Sequence, residues 1–239
     1  MASILQNIKK LDRYGWKVLF SPILAPIILG AIIFYFAGTD KLPRVWDYLI
    51  STFVILGACT VWLLKENPKL LNERGNWAKH GDKTKIDTVI FFLFGIFSYY
   101  LMAALAGYEY AQTGALSAWA DFEVLAIIVY ALGTAGTYWA MVENKFFEVR
   151  VRMQKEKKQY VCKSGPYAFV RHPGYAFVIP SLLAMPVIIG SLWGLYAEII
   201  AIFFMLVRTV REDKMLFENL NGYKKYSKKV KWRLIPGIW

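Results

Sequence analysis

Two short clusters of chemically capable residues flank one long apolar stretch in the last third of the chain. Gly165-Pro166-Tyr167 leads into Arg171-His172-Pro173-Gly174-Tyr175, and Arg208, Arg211, Glu212 and Asp213 follow where the apolar stretch ends. The first cluster has the makings of an anion site. Pro173 stiffens the start of a helix whose first N–H groups have no partner within the helix, and Arg171 and His172 add donors at the same place. Gly165 permits a close backbone approach. Snorkelling of a basic side chain at a membrane boundary accounts for Arg171, but not for a histidine locked between arginine and proline. In the second cluster Arg208 and Glu212 stand four residues apart on one helix face. They could form a plain ion pair worth a few tenths of a kcal/mol. They could also act separately, with the planar guanidinium of Arg208 gripping a carboxylate and Glu212 taking a cationic group.

Other polar residues carry less. Glu198 lies alone in the apolar stretch, where a carboxylate either serves a function or snorkels out at a turn. His80 reads as a solvated loop residue, and Tyr223, Tyr226, Trp232 and Trp239 as interfacial packing. The two cysteines, Cys59 and Cys162, fall in different environments and are not expected to pair, and no Cys/His spacing suggests a metal site.

The elements that position these clusters follow from composition. Apolar residues make up 57% of the 239 and aromatics 17%, gathered in blocks without amphipathic period. Four blocks, Val18 to Ala37, Val45 to Leu64, Ile86 to Ala106 and Phe122 to Val142, each suit one membrane crossing. The fifth, Gly174 to Val207, is too long for one. Gly190-Ser191 and Gly194 mark a tight turn that splits it into two helices, Gly174 to Ile189 and Leu192 to Val207. The fold class expected is an all-α polytopic membrane protein of about six transmembrane helices, the last two forming a hairpin that returns both clusters to one side. The first block is expected to be a retained helix, because no small-x-small cleavage site follows it. Pro22 and Pro26 predict a kink within it.

The loop Lys65 to Lys85 reads as a short interfacial helix without chemistry. Glu143 to Lys158, charged with interleaved Phe146, Phe147, Val149, Val151 and Met153, predicts a helix running out along the membrane surface. Tyr160 to Tyr175 is expected to be irregular, and the amphipathic tail from Glu212 to Lys231 to fold back until Pro236-Gly237 ends it. Residues 1–110 form the N-terminal transmembrane helices in this reading, and 111–239 a membrane-embedded core.

A net charge of +12 invites a nucleic-acid reading, but its distribution opposes one. Of 29 Lys and Arg residues, 27 fall before the first span, in the 65–85 and 143–173 loops and in the tail; only Lys41 and Arg44 fall on the other side. This is the positive-inside pattern, and it predicts cytoplasmic termini and a cytoplasmic site. Nucleic acid is therefore not expected as a partner; the bilayer and its anionic head groups are.

Taken together, Gly-Pro-Tyr-x(3)-Arg-His-Pro-x-Tyr, an apolar hairpin, Arg-x(3)-Glu-Asp-x(2)-Leu, Gly-Tyr-x(2)-Tyr and a closing Arg-Leu-Ile-Pro resemble the integral-membrane isoprenylcysteine carboxyl methyltransferases and the related phospholipid methyltransferases. The resemblance covers about residues 140–239. It implies S-adenosyl-L-methionine as cofactor and a lipophilic small molecule or lipid as substrate. It assigns Gln159, Tyr160, Val161, Cys162, Gly165, Tyr167, His172, Pro173, Gly174, Tyr175 and Glu212 to the cofactor, with Gln154 a looser match by spacing. It sets Arg208 toward the acceptor, so that Arg208 and Glu212 are the catalytic candidates. A carboxylate acceptor of the isoprenylcysteine type would need no general base, whereas an amine would. Methylation of a phospholipid amine, a non-methylating membrane reductase and a transporter are the competing readings. The reductase lacks a Gly-x-Gly-x-x-Gly sequence here, and the transporter lacks repeats and mid-membrane polar residues beyond Glu198.

Overall fold

The computed structural model describes residues 2–79 and 84–239, and these form helices joined by short turns with one long irregular strap. His80 lies outside the described residues. A short α1 (Ala2–Ile8) precedes α2 (Arg13–Ala37), which Asp12 starts by accepting from the backbone N–H groups of Tyr14 and Gly15. Helix α2 runs through Pro22 and Pro26 without a break in its helical span. Then come α3 (Pro43–Glu66) and α4 (Pro68–Gly75), both opened by proline in the first turn. Next, α5 (Lys85–Gly95) continues through a wider turn, Ile96–Leu101, into α6 (Met102–Thr113) as one rod. Helix α7 (Glu123–Glu143) leads into the strap, and α8 (Pro173–Ile189) and α9 (Leu192–Asn219) form the final hairpin before the short α10 (Tyr223–Lys229).

Five of these helical stretches are long and apolar enough to cross a membrane: Arg13–Ala37, Pro43–Glu66, Lys85–Thr113, Ala120–Glu143 and Leu192–Asn219. Helix α8 is shorter, at 17 residues. Its rise of about 26 Å places it at the low end of what a crossing needs. Phe20, Ile27, Ile50, Phe53, Leu132 and Phe203 stay exposed on the outer faces of the spans, as a lipid-facing surface demands. The chain is a polytopic all-helical membrane protein. Its hairpin turn has the expected chemistry: Gly190 adopts φ +84°, and Ser191 caps α9 by accepting from the Gly194 N–H.

The core mixes the whole length of the chain. Ile33, Tyr48, Met102, Tyr130, Ile188 and Met205, from six different helices, sit in one buried cluster. The tightest pairing is α7 against α8. A Cβ at Gly133 would lie 2.2 Å from Ser181 Oγ, and one at Gly136 would lie 2.4 Å from the Phe177 ring. Small residues let these backbones approach, which is how helices associate in lipid without a hydrophobic driving force.

The basic segments gather at one end. There Asn7 bonds the carbonyls of Leu64 and Lys65, Arg74 reaches the Phe147 carbonyl, and Lys157 pairs with Glu73. At the other end Arg44 bonds the carbonyls of Leu116, Ala118 and Val187.

Candidate active site

At the basic end, Asp213 on α9 is a hub. Arg171 grips it with two parallel bonds, Nε to Oδ1 at 2.8 Å and Nη2 to Oδ2 at 3.0 Å. His172 Nε2 lies 3.1 Å from Oδ1, the Tyr223 hydroxyl donates to Oδ1 at 2.8 Å, and Arg233 Nε donates to Oδ2 at 2.9 Å. The tail is drawn in by the same segment, since the N–H groups of Arg171 and His172 donate to the carbonyls of Trp232 and Arg233. Tyr226 completes the fold-back by donating to the Tyr167 carbonyl at 2.7 Å. Burial alone would lower the pKa of Arg171, but its bonds to Asp213 outweigh that and raise it. Burial, and then the Asp213 charge, push the Tyr223 hydroxyl far up, so it stays a donor. Motifs separated by sixty residues are thus tied to one carboxylate, which the sequence reading had left without a role.

The strap between α7 and α8 differs from the sequence expectation. No α-helix runs on through 144–158, where a single 3-10 turn occurs at Lys155–Lys157: α7 stops at Glu143, and Asn144 turns into extended backbone with its side chain accepting from the Phe146 N–H. From Phe147 to Met153 apolar and charged residues alternate with period two, the pattern of an extended segment rather than a helix. Its carbonyls find side-chain partners in place of helical ones. Gln154 Nε2 donates to the Phe146 carbonyl at 2.8 Å, and Arg208 Nη2 donates to the Val149 carbonyl. Glu148 is clamped by Arg152 and Lys157.

Under this strap lies a polar cavity. Of the residues assigned to the cofactor, Gln159, Tyr160, Val161, Cys162, Tyr167, His172, Gly174, Tyr175 and Glu212 line it, together with Gln154. Gly165 and Pro173 do not. Gly165 has φ +55°, and a Cβ there would meet the Glu143 carboxylate at 2.9 Å, so its glycine serves the chain's own packing. Pro173 opens α8 behind the wall. Around the lining, Gln159 Oε1 accepts from the Gln154 N–H, and Tyr160 stands edge-on to Phe146. Asn144 bonds the Tyr167 hydroxyl at 3.1 Å. Burial raises the pKa of Cys162.

A second cavity of about 320 Å3 opens inside the membrane region between α2, α3, α7 and α8. Its walls are apolar and aromatic, with Arg74 and Arg208 at the basic end. The two cavities abut, because Phe147, Glu148, Gly174 and Tyr175 line both. Gly174 is required at this junction, since a Cβ would fall 2.4 Å from the Phe147 ring. Tyr175 spans it chemically. Its hydroxyl accepts from Arg208 Nε at 3.0 Å and donates to Glu212 Oε2 at 2.8 Å. The i,i+4 pair of Arg208 and Glu212 is therefore bridged by a phenol from the neighbouring helix.

Glu198 is fully buried and accepts from Ser98 Oγ, on the wider turn between α5 and α6, at 3.1 Å. It neither snorkels nor lines either cavity. Arg74 went unnoticed in the sequence because its loop was read as free of chemistry. Its signal was a basic residue at the end of a helix that carries buried Leu70 and Leu71. Tyr223 and Tyr226 line the polar cavity in addition to packing there.

No curated protein matches the chain significantly. Residues 124–218, which include α8 and most of α7 and α9 together with the strap between them, do match a family model, that of the isoprenylcysteine carboxyl methyltransferase (ICMT) family.

Proposed function

We propose that the protein transfers a methyl group from S-adenosyl-L-methionine to the carboxylate of a lipophilic acceptor. The observation that carries this reading is the junction at Tyr175, where a polar cavity and an apolar intramembrane cavity share a wall. A water-soluble donor and a lipid-soluble acceptor need such a meeting point.

The donor set of the polar cavity fits this cofactor. Glu212 can take an ammonium, and the ring faces of Tyr160, Tyr167 and Tyr223 suit a base. Gln154 Oε1 is buried with no hydrogen-bond partner, an acceptor left for a ligand N–H. The interior space is about 90 Å3, so the strap must yield outward to admit a nucleoside. When bound, the cofactor supplies a methyl group already activated on a sulfonium sulfur.

The chain's own residues have the remaining work of alignment and exclusion of water. Arg208 and Arg74 bring two guanidinium groups to the basic end of the apolar cavity, which favours a carboxylate head over an amine. A carboxylate is nucleophilic as it stands, so no proton has to be removed. Tyr175 couples the two halves by holding Arg208 and Glu212 in fixed register. The excess of basic residues in the loops at this end supports a cytoplasmic orientation for it.

The test is calorimetric titration of purified protein with the cofactor and with its demethylated product. Micromolar binding that falls about 10- to 150-fold in Glu212→Gln, with unchanged melting, supports the reading. Equal affinity in variant and wild type removes Glu212 from the pocket, and no binding to either protein removes the cofactor.

A further inference from the structure

We propose that Tyr48 and Thr52 form a hydrogen-bonding subsite, deep in the intramembrane cavity, for an oxygen function on the buried chain of the acceptor. The inference rests on the reading of that cavity as the acceptor site. Both residues lie on α3, four apart and so on one face, and both line the cavity. Tyr48 is 0% exposed and Thr52 2%. Among the described residues, neither hydroxyl reaches a hydrogen-bond partner.

That is unusual within this molecule. A threonine in a helix ordinarily returns its hydroxyl to the carbonyl four residues back. Thr113, Thr137 and Thr209 all do so, bonding the carbonyls of Glu109, Gly133 and Met205. Thr52 does not. Tyr138, another phenol on the cavity wall, is satisfied by Thr60 at 3.2 Å. Tyr48 has no partner at full hydrogen-bond distance and angle, although Thr52 stands close to both its hydroxyl and that of Tyr130. Buried hydroxyls without partners are rare, and two on one cavity face point to a partner that arrives with a ligand.

The position of the subsite also describes the ligand. On α7 and α8 the cavity lining runs from Met141 and Gly174, near the polar junction, to Tyr130, which packs beside Tyr48, and Met185. At 1.5 Å per residue that places the subsite about 16 Å from the junction. A cavity of about 320 Å3 extended over such a length is a slot for one chain. The acceptor that fits has a carboxylate at one end and a hydroxyl or carbonyl near the other.

Hexadecanoate and 16-hydroxyhexadecanoate, which has an added hydroxyl at the far end, are suitable probes. Their displacement of the fluorescent fatty acid parinarate is measured on the full chain in nanodiscs. The proposal expects wild type to prefer the hydroxylated chain by about 3- to 10-fold. Tyr48→Phe and Thr52→Val should each reduce that preference and the double variant abolish it, while hexadecanoate affinity and melting temperature hold. Equal affinity of wild type for both chains, or a preference that survives in the double variant, overturns the subsite alone. So does a lowered melting temperature in Tyr48→Phe, which would mark a structural role. Failure of wild type to bind either chain overturns the acceptor reading itself, and the subsite with it.

Discussion

The two ends of the helix bundle both bury charge, but they use it differently. At the end away from the strap, Glu109 accepts from Ser191 Oγ at 2.6 Å and from the N–H groups of Leu192 and Trp193, fastening α6 to the start of α9. Arg44 bonds three carbonyls there and lies 3.2 Å from Glu123. Those charges are spent on the chain's own backbone and helix starts. At the basic end one carboxylate, Asp213, is spent the same way, with four side chains converging on it. Its neighbour Glu212 is not. One residue along a helix turns the side chain by about 100°, which is enough to face Glu212 into the cavity and Asp213 into the scaffold. A saturated charge holds the fold, and the adjacent charge bonded through a single phenol remains able to meet a ligand.

The contrast is broken most severely at Asp213. Asp213→Asn leaves Arg171, largely buried, without its counter-charge, and losing one partner of a buried ion pair costs about 3–5 kcal/mol. Thermal unfolding in detergent should show a large loss of stability together with loss of cofactor binding. Glu109→Gln should cost less, because its partners are neutral donors and the amide oxygen still accepts. If Asp213→Asn melted like wild type, the division between scaffold and site would be wrong.

A smaller effect is expected at Arg208, where the division runs through one residue. Arg208→Lys keeps the charge but loses the planar fork that reaches both Tyr175 and the Val149 carbonyl. Turnover should drop about 10- to 100-fold, while cofactor affinity changes about 3-fold or less. Measuring methyl transfer and cofactor titration on the same preparation decides it. Parallel losses in both would mean that Arg208 only supports Glu212 through Tyr175.

The spans and the hairpin could be read from the sequence because lipid imposes one demand, a run of apolar residues long enough to cross, and Gly190-Ser191 supplies an explicit turn. The polar cavity was partly legible for a related reason. Irregular backbone near a membrane has to be satisfied by something, and Gly165 to Tyr175 announced that need. What stayed hidden was tertiary. Nothing local distinguishes Asp213 from Glu212, because the difference is which neighbour each faces after the tail folds back. The strap was misread because its charged residues resembled a surface helix, although its period of two was present in the sequence. Arg74 and the orphaned hydroxyls on α3 were invisible because the first 110 residues carry no motif, and their relevance comes only from packing beside α7 and α8.

The mildest test uses a cysteine that the proposed chemistry does not need. Cys162 lines the polar cavity and is half-buried, while Cys59 is buried within α3. Burial raises the pKa of the Cys162 thiol, so at neutral pH it stays protonated and reacts slowly with a maleimide. The reacting species is the thiolate, so labelling should accelerate about tenfold per pH unit as pH climbs toward that raised pKa. A membrane-impermeant maleimide should label Cys162 in inside-out vesicles and not in intact cells if the basic end, where the cavity opens, faces the cytoplasm as the charge pattern proposes. Adding the demethylated cofactor product should slow labelling at every pH without changing its slope, since occupancy blocks access and leaves the thiol's ionisation as it was. Labelling from the outside of intact cells would reverse the orientation of the bundle. Labelling indifferent to the product would separate Cys162 from the cofactor cavity, and only the apolar side of the junction would then keep its assigned role.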